Sequence, residues 1–120
     1  MAKSYKDLVA WQKAMDLAVA VYGVTRMFPQ EEIYALTSQV RRAAVSVPSN
    51  IAEGQGRGSK TDFQRFTRIA IGSLQEVETQ LLLGSRLEYV SQLALDPVLR
   101  QLDEVARITR GLQKSLEEPQ

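Results

Sequence analysis

Apolar residues recur along this chain at intervals of three and four, the period of an α-helix with one buried face. The first stripe is Leu8, Trp11, Met15, Ala18 and Tyr22. The second is Ile33, Leu36, Val40, Ala43, Val47 and Ile51. The third is Phe63, Phe66, Ala70, Leu74, Val77 and Leu81, with Gly84 and Leu87 beyond. The fourth is Leu99, Leu102, Val105, Thr109, Leu112 and Leu116. No strand-like alternation competes. Four amphipathic helices with short connections predict an all-α fold, an antiparallel up-down-up-down four-helix bundle.

Boundary signals place the helices at about 7–28, 31–54, 59–90 and 96–117. Asp7 is the expected cap of the first, and Phe28-Pro29 ends it. Pro48 interrupts the second stripe, where it removes a backbone donor and crowds the Ala44 carbonyl. The stripe keeps its phase across Pro48, which predicts a kinked helix rather than a break. Ser46, Ser49 and Asn50 stand near to satisfy freed backbone groups. Gly54 is the expected terminator of that helix. Ser59-x-x-Asp62 resembles a capping box at the start of the third. Gly72 and Gly84 inside it are candidate points of close helix approach. Asp96 as cap and Pro97 in the first turn open the fourth.

The apolar pattern exceeds what a lone bundle needs. The first helix is apolar nearly all round between Leu17 and Val24, and the third adds Leu82, Leu83 and Tyr89 outside its stripe. Such helices bury more than one face. Self-association is the expected solution.

Composition narrows the chemistry. The 120 residues favour one domain, 1–120, large enough to hold a core without a staple. No cysteine or histidine is present. Thiolate metal sites, disulfides, Ser-His and Cys-His nucleophiles and His-carboxylate metal pairs are therefore excluded. No cofactor or metal is expected. A polar N-terminus and the absence of a long apolar run predict a cytoplasmic protein with no membrane partner.

The stretch from Arg41 to Lys60 (RRAAVSVPSNIAEGQGRGSK) is the least ordinary part of the sequence. Its glycine loop, Gly54 to Thr61, nearly fits G-x-x-x-x-G-K-[ST]. Ser59 stands where the second glycine is required, and a helix rather than a strand precedes it. Nucleotide hydrolysis is therefore not expected, and the protein reads as no enzyme. Glu76 and Glu78 are two apart and point to different sides of a helix, so they are no catalytic pair.

Net charge is +1 over the whole chain. Residues 41–68 hold Arg41, Arg42, Arg57, Lys60, Arg65 and Arg68 against Glu53 and Asp62, a local +4, which leaves −3 for the remainder. These six cations are the candidate nucleic-acid-binding residues. Arg42 lies about 200° from Val40 on the helical wheel and faces away from the core. Arg65 and Arg68 share an outer face. Glu53 is the carboxylate best placed to pair with an arginine. No aromatic residue interleaves with the arginines, which argues against a stacking platform for single strands. Trp11, Phe63 and Phe66 read as packing. The alternative use of the cations is in subunit interfaces.

At these residues the chain resembles the four-helix proteins encoded in bacterial 23S rRNA intervening sequences. Their relatives include the accessory variability determinant proteins of diversity-generating retroelements. The matching motifs are 7–14 (DLVAWQKA), Val21-Tyr22, Phe28-Pro29 and 39–54 (QVRRAAVSVPSNIAEG). Gly56-Arg57, Phe63, Phe66 and 70–81 (AIGSLQEVETQL) follow. Within them Pro48, Asn50, Glu53, Gly54 and Gly56 form the structural motif of the resemblance. It covers about residues 5 to 90; the fourth helix matches in pattern only.

The resemblance implies a homopentamer, a number that periodicity does not give. For the retroelement branch it implies a basic surface that binds RNA or DNA and a reverse transcriptase as partner. The function expected is thus a non-enzymatic homo-oligomeric bundle that binds nucleic acid through its basic surface. The alternative is a protein-interaction scaffold that binds none.

Overall fold

The computed structural model describes residues 4–117. The chain folds into four helices: α1 (Val9–Thr25), α2 (Leu36–Gly56), α3 (Lys60–Arg86) and α4 (Gln92–Ser115). Single 3₁₀ turns at Tyr5–Asp7 and Gln30–Glu32 precede α1 and α2. Each helix packs against two others, α1 on α2 and α4, and α3 on α2 and α4. Cross-helix contacts run in opposite order along neighbours. Ser46 meets Ser73 while Gly54 meets Phe66, and Lys13 of α1 reaches Glu104 of α4. The result is a rod of 47 × 24 × 23 Å.

The core follows the second, third and fourth sequence stripes. Val40, Val47 and Ile51 of α2 meet Leu74, Val77 and Leu81 of α3, with Leu95, Leu102 and Val105 from α4. α1 departs from expectation. Its core face is Ala10, Ala14, Leu17, Val21 and Val24. Of the predicted stripe, Leu8, Trp11 and Ala18 reach only the edge of the core, and Met15 and Tyr22 are over 40% exposed. A helix apolar on two faces carries two stripes of the same period. Spacing alone cannot rank them. Small Ala10 and Ala14 face the interior, and the bulkier set faces out. Ile33 and Leu87 also lie exposed, because they fall in the turns beyond their helices.

Helix ends differ from the sequence reading in several places. Asp7 belongs to the first 3₁₀ turn, which Ser4 caps, and α1 starts after Leu8 with no side-chain cap. Residues 26–35 form a connection between α1 and α2, so α1 ends earlier and α2 begins later than expected. α4 opens at Ser91, whose hydroxyl accepts from the Ala94 amide at 3.2 Å. Asp96 and Pro97 therefore lie inside it. The early start adds a turn that buries Leu95 completely, and Pro97 forgoes a bond to the Leu93 carbonyl. α3 stops at Arg86 rather than near Val90. The amides of Glu88 and Tyr89 bond back to the Ser85 and Gly84 carbonyls, a Schellman closure. Glu88 occupies its left-handed position, φ 64°.

α2 runs unbroken through the buried Pro48 to Gly56. Asn50 donates to the Ser46 carbonyl at 2.8 Å rather than to that of Ala44. Gly54 does not end the helix. It permits contact: a Cβ there would lie 2.7 Å from Phe66 Cβ and 3.1 Å from Phe63 Cδ1. Gly56 and Gly72 have open space where a Cβ would be. Gly84 carries the Phe28 ring, whose Cζ would be 2.6 Å from an added Cβ.

Phe28, Gly84, Tyr89 and Glu32 close one end of the rod. The Phe28 and Tyr89 rings lie 5.6 Å apart. Tyr89 donates to Glu32 Oε2 at 2.8 Å, and Glu32 Oε1 accepts the Leu36 amide at 3.1 Å. One carboxylate thus caps α2 and ties it to the segment after α3. The bond to Glu32 holds the Tyr89 phenol above its ordinary pKa of 10.0, with burial and the charges of Glu32 and Glu31 adding to the rise.

Two outcomes follow from this packing. Gly54→Ala should lower stability by about 1–3 kcal/mol, as for other overpacked contacts, read from urea unfolding. The contribution of Tyr89 is present below its unfolded pKa and is lost as pH rises through its raised folded value. Tyr89→Phe should therefore be less stable than the parent near neutrality, and the gap should close as pH rises past the raised pKa of the phenol. A gap that ignores pH would place the effect outside the phenol.

Candidate nucleic-acid interface

The six candidate cations split into two groups. Arg41 and Arg42 lie in the first third of α2, and Arg57 caps its end. Fifteen or sixteen residues of helix separate them, a rise of about 22–24 Å. Because Gly54 meets Phe66, Arg65 sits at the level of Arg57, with Lys60 one turn beyond and Arg68 one turn back.

At that end the guanidiniums of Arg57 and Arg65 lie 5.1 and 5.0 Å from the centroid of the Phe66 ring, which is buried. Arg57 also pairs with Glu53 one turn earlier, at 2.7 Å. The expected carboxylate–arginine pair therefore forms, within the one chain. Lys60 is exposed on the rim of an apolar cavity of about 460 Å³ lined by Leu8, Phe63, Leu112 and Leu116. The Ser59 hydroxyl caps α3 by accepting the Asp62 amide at 3.1 Å. The glycine loop is a tight helix–helix turn, with positive φ only at Gly58 (83°).

At the other level Arg41 is held in place. Its Nε donates to Thr25 Oγ1 at 2.9 Å and its Nη2 to the Tyr22 carbonyl at 3.4 Å. The guanidinium also covers the Tyr22 ring at 4.7 Å. Arg42 is exposed beside Tyr34, as expected from its place on the wheel. Among the described residues, no carboxylate lies within 4.0 Å of the charged groups of Arg42, Lys60, Arg65 or Arg68.

Folding also brings aromatic rings to the arginines, which the linear sequence did not suggest. Tyr22 and Tyr34 flank Arg41 and Arg42 in one cavity. Tyr22 comes from another helix, and its neighbourhood with Arg41 is legible only once α1 and α2 are docked. Tyr34 lies in the turn before α2, two residues ahead of its first residue, and nothing in the linear pattern marks its approach to Arg42.

The outward stripe of α1 forms the second feature of the surface. Trp11, Met15, Ala18, Val19 and Tyr22 line a groove of about 570 Å³ against Val45, Pro48 and Ala52 of α2. Trp11 thus serves the groove as well as the core edge, and Tyr5 packs edge-on to it at 5.3 Å. Among the described residues, no helix is long and apolar enough to cross a membrane, and no cluster of acidic residues is suited to a metal ion.

The family described as 23S rRNA-intervening sequence protein matches residues 6–111. The chain belongs to that family. The match extends past the residues that carried the resemblance and takes in most of α4. Among solved structures, a protein of unknown function from the S23 ribosomal protein family of Bacteroides thetaiotaomicron VPI-5482 has the same fold. Its TM-score is 0.82 at 24% identity, over 91% of this chain and 98% of that one. A comparison with curated proteins gives no match. Within this 23S rRNA-intervening sequence protein, the motif residues take distinct parts. Pro48 lines the groove, Asn50 bonds within α2, Glu53 orders Arg57, Gly54 admits Phe66, and Gly56 ends the helix.

Proposed function

We propose that this protein is a non-enzymatic helical subunit that self-associates and holds RNA on its basic surface. The observation that carries the reading is an exposed apolar groove on the same chain as four exposed cations that meet no carboxylate among the described residues. The groove supplies a reason to assemble, since burying apolar area is worth about 25 cal/mol per Å². Assembly then repeats Arg42, Lys60, Arg65 and Arg68 around a symmetric body, so that weak phosphate contacts add by avidity. The family resemblance supplies five as the subunit number; the polar N-terminus supports the cytoplasm as the setting. The resemblance also supplies, for a retroelement context, a reverse transcriptase as the neighbouring protein.

A second reading has its own support. Arg41 and Arg57 are engaged inside the subunit. A protein-interaction scaffold without nucleic acid would use the remaining cations at its contacts.

Light scattering with and without total bacterial RNA, at low and high salt, separates the two. The expected mass is near five subunits, with RNA gained only at low salt. A pentamer that takes up no RNA would favour the scaffold. Val19, 71% exposed in the groove, gives the interface test: Val19→Glu should yield a monomer with unchanged helix content. An unchanged mass would remove the groove from the interface. If four cations contact phosphates of a single strand, log affinity should fall with log salt at a slope of about −3.

A further inference from the structure

We propose that the cavity between the end of α1 and the start of α2 is a stacking site for an unpaired base. Tyr34 is its platform, and Arg41 and Arg42 receive the flanking phosphates. The proposal rests on the RNA reading above and narrows it to single strands and loops.

The cavity measures about 460 Å³, and Tyr22, Ile33, Tyr34, Thr37, Arg41 and Arg42 contribute to its lining. Tyr34 is 95% exposed. Core packing does not explain a large ring so placed, and its π-face is free to accept a base. The ring stands on an ordered turn. The Ala35 amide bonds the Glu32 carbonyl at 2.9 Å, and the next amide, of Leu36, bonds the Glu32 carboxylate at 3.1 Å. The backbone that carries the ring is held in this way, while the ring itself is free to turn toward a base.

The charges beside it suit phosphate. Arg41 is oriented by Thr25 and Tyr22, which use two of the five N–H donors of a guanidinium and leave three. Arg42 is exposed and has no ion pair among the described residues. No carboxylate lines the cavity. Thr37 lines it too and is 4% exposed, and its hydroxyl has no hydrogen-bond partner among the described residues. Glu76 lines the adjacent cavity with Tyr34 and Arg42. Its charge opposes phosphate there.

An aromatic face beside guanidiniums recognises bases with little regard to sequence. Bases inside a duplex are already stacked and cannot reach a side-chain platform. The chemistry therefore selects unpaired nucleotides.

The test uses fluorescence anisotropy on the full chain. The probes are a fluorescein-labelled oligouridylate of about twelve nucleotides, whose bases neither pair nor stack strongly on one another, and a blunt duplex of equal length. The single strand should bind more tightly. Tyr34→Ala should weaken it by about five- to hundred-fold, the range for loss of one base–aromatic stack, while Tyr34→Phe should bind as the parent does. Glu76→Gln should tighten binding. Because Tyr34 is almost wholly exposed, both Tyr34 variants should keep the parental melting temperature and mass. Parental affinity in Tyr34→Ala would overturn the proposal and leave the RNA reading intact. So would equal or tighter binding of the duplex. A changed assembly mass in Tyr34→Ala would make the ring a subunit contact and overturn the proposal as well. Failure of the parent to bind either probe or total RNA would remove both readings together.

Discussion

Where α2 meets α3, the Gly54 backbone lies so near Phe66 that even a methyl group would intrude, at 2.7 Å from its Cβ. That approach sets the level of the two helices. Two turns away Ser46 and Ser73 meet, two small residues whose hydroxyls share a hydrogen bond. Between these points Val47, Ile51 and Ala70 are wholly buried. Close helix axes leave no room for wide side chains at the crossing, and they let the longer ones interdigitate on either side. Phe66 is buried by the same approach, and its ring then gives Arg57 and Arg65 a common surface.

The opposite end of the rod is fixed by a different device. There the chain must turn twice, from α1 into α2 and from α3 into α4. Phe28 fills the space that Gly84 leaves, Tyr89 follows a left-handed Glu88, and Glu32 joins both turns through one carboxylate. An ordinary residue at a left-handed φ costs about 1–2 kcal/mol, which the Schellman bonds and the burial of Val90 beside it offset. The consequence for the surface is direct. The same carboxylate orders the turn that carries Tyr34, so an end of the fold and a potential contact ring share one support.

Most of the architecture was legible as periodicity. The stripes of α2, α3 and α4 mark true core residues because each of those helices has one dominant apolar face. α1 was misread because it has two. The choice between Leu17 and Ala18 as core depends on which face the other helices can approach, and that is not local information. The start of α4 was misplaced for a related reason: Asp96-Pro97 is a strong local signal, yet extending the helix back to Ser91 buries Leu95. Gly54 looked like a terminator because glycine serves that role by backbone freedom. Here its use is the absence of a side chain, which only the partner helix reveals. The candidate cations were found by charge, but their division into two groups follows from helix length. The tyrosines beside Arg41 were hidden by sequence distance.

That division changes what the loss of any one arginine would mean. Arg41 links α2 to the end of α1 through Thr25 and Tyr22. Arg57 covers Phe66 and pairs with Glu53. Removing either disturbs packing as well as charge, since the arginine stem and guanidinium cover apolar surface. Arg42 and Arg68 are exposed, with no ion pair or aromatic contact among the described residues. A charge change there would leave the packing intact, so it would test the proposed ligand or subunit contacts with little effect on the fold. Arg65 is intermediate, because it shares the Phe66 ring but pairs with no carboxylate. The surface is therefore built from anchored arginines that fix its shape and free ones that remain available, and only the free ones report cleanly on what the surface binds.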